Sequence, residues 1–182
     1  RRGAETTNAK WGNQVAILSG DYIFARAFKL VAEEGYDSSV YVKLAHLVCT
    51  LSEGEILQDH TVYQVPKDES AYYERIRKKT ADFLEICCEL GAMIGGMSAD
   101  DTARMAQYGQ ALGMAFQITD DLLDFRRSSE DIGKPAGHDL AQGYVTLPVI
   151  RALAVLEKAE RTELAALITN PKMTESEAAR AL

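Results

Sequence analysis

Apolar residues recur every three to four positions through almost the whole chain, the period of an amphipathic α-helix, and no strand-like alternation persists. From Trp11 to Glu34 the positions Val15, Leu18, Tyr22, Ala25, Phe28 and Val31 share one face, which predicts a helix with a buried face and Gly35 as its stop signal. A second helix is predicted from about Ser38 to Tyr63, ending before Pro66. A third runs from about Ser70 to Leu90, with Gly91 or the Gly95-Gly96 pair ending it. A fourth starts near Ser98, whose hydroxyl can cap the first turn with Asp101 three residues on, and continues to Asp124. Between Arg126 and Asp139 two glycines and a proline interrupt the period, predicting a polar loop. A fifth helix is predicted over about Leu147 to Lys158, then a shorter one. The pattern reads as one all-α helical bundle spanning residues 1–182, in which facing helices can build a central cavity.

One stretch departs from this alternation. Phe116-Gln117-Ile118-Thr119-Asp120-Asp121-Leu122-Leu123-Asp124 places three carboxylates in one helical turn of an otherwise apolar segment. Asp120 and Asp124 are four apart and Asp121 and Asp124 three apart, a spacing at which like charges oppose the helix by roughly 0.2–0.5 kcal/mol per pair. Oxygen-only ligands at this density suit a hard divalent ion such as Mg²⁺, which keeps several waters and shares one or two carboxylates with substrate phosphates. The bland alternative is a solvated acidic face. In the loop, Lys134 between Gly133 and Pro135 can bring an ammonium to a diphosphate as a point charge, or serve only as a surface lysine.

Composition narrows the class. With 182 residues, 47% hydrophobic and 26% charged, the chain is long enough for one substantial core. Its net charge of −7 and lack of a basic run argue against nucleic acid as a partner. Cys49, Cys87 and Cys88 fit reduced, buried thiols better than a disulfide framework, which points to the cytoplasm. No apolar run approaches the ~20 residues of a membrane span. His46 on an apolar helical face reads as a core histidine, and His60 as a surface residue.

The block FQITDDLLDF, with DIGKPAGHDL and TLP (Thr146, Leu147, Pro148) after it, resembles the second aspartate-rich region of the trans-isoprenyl (polyprenyl) diphosphate synthases. Arg1-Arg2-Gly3, Asn8-Ala9-Lys10-Trp11-Gly12, Gly20-Asp21-Tyr22, Gly54-Glu55 and Lys79-Thr80 stand in the family's order. The resemblance implies an isoprenoid-synthase-like helical bundle and a Mg²⁺-dependent prenyltransferase joining an allylic diphosphate to isopentenyl diphosphate. It implies that Asp120 and Asp121, with Asp124 more peripheral, hold the metal. Lys79, Lys134 and Arg1 would contact the allylic diphosphate and Arg2 isopentenyl diphosphate, while Thr80 and Gln117 would offer oxygens near the developing carbocation. It also implies a homodimer or heterodimer. Family members carry a first aspartate-rich motif before the paired arginines, so the chain is expected to be a synthase portion shortened at both ends. Tyr144 stands where relatives often carry a lysine. The alternatives are a non-catalytic partner subunit of a heteromeric synthase and a class I terpene cyclase; the latter is expected to carry a helical motif with Asn, Ser and Glu that is not evident here.

Overall fold

The helical period is realised as helices, and among the described residues no strand forms. The computed structural model describes residues 4–126, 137–174 and 176–178. Its elements are α1 (Thr7–Glu33), α2 (Ser38–His60), α3 (Glu69–Ile76), a π turn (Arg77–Ala81), α4 (Asp82–Ile94), α5 (Ala99–Arg126), α6 (His138–Ala141), α7 (Leu147–Val155) and α8 (Lys158–Ile168). The chain divides into two compact units, residues 1–43 and 44–182.

In the first unit, the Thr6 hydroxyl caps α1 by accepting the Ala9 N–H at 3.4 Å. Gly12 leaves helical geometry (φ 83°, ψ 165°) and kinks the helix near its start. The Tyr41 hydroxyl donates to the Val31 carbonyl at 3.0 Å, tying the start of α2 to the end of α1. The buried face expected for α1 is not realised: none of its residues is buried, because this unit holds too little chain to cover a 27-residue helix. Trp11, Leu18 and Tyr22 are exposed.

In the second unit, Ser98 caps α5 as its spacing to Asp101 predicts: Ser98 Oγ accepts the Asp101 N–H at 3.2 Å and donates to the Asp101 carboxylate at 2.8 Å. The core joins Tyr72 and Ile76 of α3 to Leu140 of α6, Leu147, Val149, Ile150 and Leu153 of α7, and Leu164 and Ile168 of α8. The expected helix over 147–158 stops at Val155, where Leu156 turns extended (φ −64°, ψ 146°) and α8 begins at Lys158. Cys49 and Cys87 are exposed and Cys88 only half-buried, so the thiols are not core residues; His46 is exposed too.

The largest departure from the periodic reading lies between α3 and α4. The Asp82 N–H donates to the Arg77 carbonyl five residues back, opening a π turn inside what the pattern reads as one helix. An extra residue in one turn rotates α4 by about 100° relative to α3, since a helix holds 3.6 residues per turn. The π turn is pressed from two sides. A Cβ on Gly54 of α2 would lie 2.9 Å from the Lys79 nitrogen, and one on Gly113 of α5 would lie 2.5 Å from the Ala81 Cα. Gly113→Ala is therefore expected to destabilise the chain by about 1–3 kcal/mol. Gly91→Ala, where a Cβ meets nothing within 4 Å, should stabilise it by roughly 0.5–1 kcal/mol. Equal denaturation midpoints for the two variants would contradict the close approach.

Candidate functional site

Lys79 and Thr80, adjacent within the π turn, address different helices. The Lys79 ammonium faces α2, donating to Gln58 Oε1 at 2.9 Å and pairing with Glu55 at 3.2 Å. Its neighbour Lys78 pairs separately with Glu53 at 2.9 Å. Thr80 faces α5, its hydroxyl donating to Gln117 Oε1 at 2.8 Å. Gln117 Nε2 then donates to Asp121 Oδ1, one turn along α5, at 2.8 Å. The other oxygen of Asp121 accepts the Tyr72 hydroxyl at 2.8 Å. A continuous polar path thus runs from the π turn, across α5, to the start of α3.

Charge sets the direction of this path. An ionised carboxylate only accepts, so Gln117 must turn its NH₂ to Asp121 and its carbonyl oxygen to Thr80. Burial and the neighbouring Asp121 charge push the Tyr72 phenol up, keeping its proton on the oxygen that donates. Burial raises the Asp121 carboxyl as well, opposed by the hydrogen bonds from Gln117 and Tyr72 and by the Arg75 charge.

The three aspartates of the acidic turn are not equivalent. Asp121 is buried, Asp120 exposed and Asp124 half-buried. Asp124 organises the chain beyond α5: its carboxylate accepts the Asp139 N–H at 3.2 Å and its carbonyl the Gly137 N–H at 3.2 Å. This brings in a fourth carboxylate, whose pKa rises to about 6 through burial and the negative fields of Asp124 and Asp121. Among the described residues no three acidic, His or Cys side chains converge into a ready-made metal cage. The donor set nonetheless fits Mg²⁺, which typically takes one or two carboxylates and completes its shell from phosphate oxygens and water. An exposed Asp120 beside a buried, doubly hydrogen-bonded Asp121, in a field raised by Asp124 and Asp139, is such a set.

The sequence matches the polyprenyl synthetase family over residues 1–182. The chain belongs to that family. Its similarity to heptaprenyl diphosphate synthase component 2 of Geobacillus stearothermophilus is 41% identity, covering 97% of this chain and 58% of that protein. A short chain isoprenyl diphosphate synthase of Methanothermobacter thermautotrophicus is 37% identical over 92% of this chain and 53% of its own. Among solved structures, a decaprenyl diphosphate synthase from Rhodobacter capsulatus superposes with a TM-score of 0.81 at 36% identity, covering 97% of this chain and 59% of that one. A polyprenyl synthase from Caulobacter crescentus, complexed with calcium and isoprenyl diphosphate, superposes with a TM-score of 0.87 at 34% identity, covering 100% and 55%. The chain thus spans a little more than half the length of these polyprenyl synthases. The all-α isoprenoid synthase fold expected from the sequence is the fold observed.

Of the residues that the family motifs single out, the structure joins Thr80, Gln117 and Asp121 by hydrogen bonds, carries Asp120 and Asp124 on the same helix as Asp121, and turns Lys79 toward Gln58 and Glu55 of α2. Arg1, Arg2 and Lys134 lie outside the described residues. Tyr72 and Asp139 are not singled out by sequence: Tyr72 lies 49 residues from the carboxylate it holds. Asp139 sits inside the matched GKPAGHDL block, so a signal is present but carries no assigned role.

This wiring makes two stability measurements informative. Tyr72→Phe leaves one oxygen of a buried carboxylate without its donor and is expected to cost about 1–3 kcal/mol of stability; an unchanged denaturation midpoint would contradict the path. Asp139 has a folded-state pKa near 6 against an ordinary 3.8, so it binds its proton more tightly when folded. Its favourable contribution is present at low pH and is lost as pH rises through about 6. Asp139→Asn should therefore gain stability relative to the parent between about pH 4 and pH 7, read as a widening difference in Tm. A difference that stays constant with pH would overturn the assignment.

Proposed function

We propose that this chain carries the diphosphate- and metal-binding face of a trans-prenyltransferase that joins an allylic diphosphate to isopentenyl diphosphate, lengthening a polyprenyl diphosphate. The observation that carries the reading is Gln117, which links the Thr80 hydroxyl to the buried Asp121 and so joins a neutral oxygen pair to an acidic one along a single helix. Relatives named as heptaprenyl and short chain isoprenyl diphosphate synthases support it. So does the Caulobacter structure, which holds calcium and isoprenyl diphosphate.

In this reading Asp120 and Asp121 are the metal ligands, with Asp124 fixing the chain beyond α5. Bound Mg²⁺ supplies positive charge against the departing diphosphate. Lys79, held ready by Glu55 and Gln58, places its ammonium on the same diphosphate. Lys134 and Arg1 add charge there, and Arg2 takes isopentenyl diphosphate, for which a guanidinium's bidentate fit to phosphate oxygens suits it. Thr80 and Gln117 present lone pairs toward the carbon that becomes positive, so the dipoles are in place before charge develops. No side chain acts as a nucleophile: the allylic C–O bond breaks, the second substrate's double bond attacks, and a proton leaves the adduct.

Assembly as a dimer is part of this reading, and the exposed apolar residues of α1 offer a surface for it. The name "component 2" of the Geobacillus relative favours a second arrangement, in which two different chains share the work. Keeping a repulsive acidic turn in this chain argues that catalysis remains here even then. Among the described residues no helix is long and apolar enough to cross a membrane.

The test is product analysis of the protein with an allylic diphosphate, isopentenyl diphosphate and Mg²⁺. A longer linear diphosphate supports the proposal, whereas a diphosphate-free hydrocarbon would point to a cyclase, and product only on adding a second chain to the heteromeric arrangement. Asp120→Ala should lower turnover by about 10²-fold or more, as losing a charge-stabilising group does, while leaving the denaturation midpoint nearly unmoved because it also relieves like-charge repulsion. Equal turnover of variant and parent at saturating Mg²⁺ would refute the metal assignment.

A further inference from the structure

A cavity of about 220 Å³ opens behind Tyr72, and apart from that residue, which holds Asp121, its lining has no role in the prenyl transfer proposed above. Val65, Pro66, Val145 and Ile150 give it apolar walls, and Lys67 and Arg75 are the cations that line it. Arg75 is the unusual member. Burial is the main influence on its guanidinium and pulls its pKa below the ordinary arginine value, against the opposing fields of Asp121 and Asp139. It spends one hydrogen bond, from Nη2 to the Val145 carbonyl at 2.8 Å, and lies over the Tyr72 ring with Cζ 5.5 Å from the centroid. Asp121 meets that same ring at its hydroxyl tip. Among the described residues no carboxylate reaches ion-pair distance of Arg75 or of Lys67.

A guanidinium carries five N–H donors in a planar fork suited to two oxygens of one anion. Taking such a group out of water without a counter-charge is costly, and the cost falls when an anion completes the pair. The other polar lining groups are already committed: the Thr61 hydroxyl donates to the Leu57 and Gln58 carbonyls, and Gln64 Nε2 to the His60 carbonyl. The charged donors of the lining that remain unspent are those of Arg75 and Lys67. Its volume equals that of roughly seven liquid waters, enough for a phosphate-sized group with some hydration.

We propose that this cavity binds a small oxyanion of the phosphate type, gripped by the Arg75 fork and covered by Lys67, at a site separate from Lys79 and the acidic turn. The ligand is either free phosphate or the phosphate end of a small monoester whose organic part lies against the apolar walls.

The test is titration of inorganic phosphate into the chain without divalent cations, monitored by calorimetry. Saturable binding is expected. Arg75→Gln should weaken it by at least about ten-fold, as losing one partner of a buried charge pair does. Lys67→Gln should weaken it by about two- to five-fold, as for a charge at a rim. Lys79→Gln should leave it unchanged. Because Arg75→Gln also removes the bond to Val145, its fold is checked by circular dichroism, and the exposed Lys67 gives a variant whose folding is not in question. A parallel titration with methyl phosphate separates the two sources: tighter binding of the ester identifies a monoester, and tighter binding of phosphate identifies the free ion. Absence of saturable binding, or an affinity lost in Lys79→Gln and kept in Arg75→Gln and Lys67→Gln, would overturn the proposal. Either result would leave the prenyltransferase reading standing, since that reading gives no role to Arg75 or Lys67, and loss in Lys79→Gln would put the phosphate at the Lys79 site of that reading.

Discussion

Asp121 is a buried carboxylate, and satisfying it sets the arrangement of the second unit. A buried charge is tolerated only when its oxygens are hydrogen-bonded, and each oxygen here has a donor, one from Tyr72 and one from Gln117. Meeting the second requirement orients the Gln117 amide, and the orientation turns its carbonyl oxygen to Thr80. For that contact to close at 2.8 Å the backbones of α5 and the π turn must nearly touch, which a side chain at Gly113 would forbid. The polar path and the close packing are therefore one constraint seen from two sides.

The same carboxylate stands in an unfavourable field. Asp120 raises its pKa further, and burial, reinforced by the charges of Asp124, Asp121 and Asp120, holds Asp139 up at about 6. Four carboxylates so placed repel one another, and in the proposed function a divalent cation held there would offset that repulsion. The Arg75 charge lowers the Asp121 pKa, yet Arg75 stacks on Tyr72 and does not form an ion pair with Asp121, so it tempers the field without neutralising it.

Helix content and the acidic turn are legible in the sequence because each has a local signature: a 3.6-residue period, and carboxylates three and four apart. The Ser98–Asp101 cap is legible for the same reason. The π turn is not, since one added residue leaves hydrophobic spacing almost intact over so short a segment. Gly54 and Gly113 carry no local signal either, as nothing in a helical glycine announces that another backbone lies against it. The pairing of Tyr72 with Asp121 depends on two helices meeting in space. Cys49, Cys87 and His46 lie outside the core despite their apolar neighbours in sequence, because such a neighbourhood does not fix which side of a helix is covered. Family resemblance supplies the roles proposed for Lys79, Thr80 and Gln117, which residue type alone does not distinguish from routine helix hydrogen bonding.

The most direct test of metal and diphosphate binding at the acidic turn is a crystal structure of the chain grown with Mn²⁺ and inorganic diphosphate, the metal located by its anomalous scattering. The expected result is a metal peak about 2.1–2.2 Å from an Asp120 carboxylate oxygen, close to the distance for Mg²⁺, with diphosphate oxygens on the metal and on Lys79 Nζ. A peak away from the acidic turn, or diphosphate bound without Lys79, would contradict it.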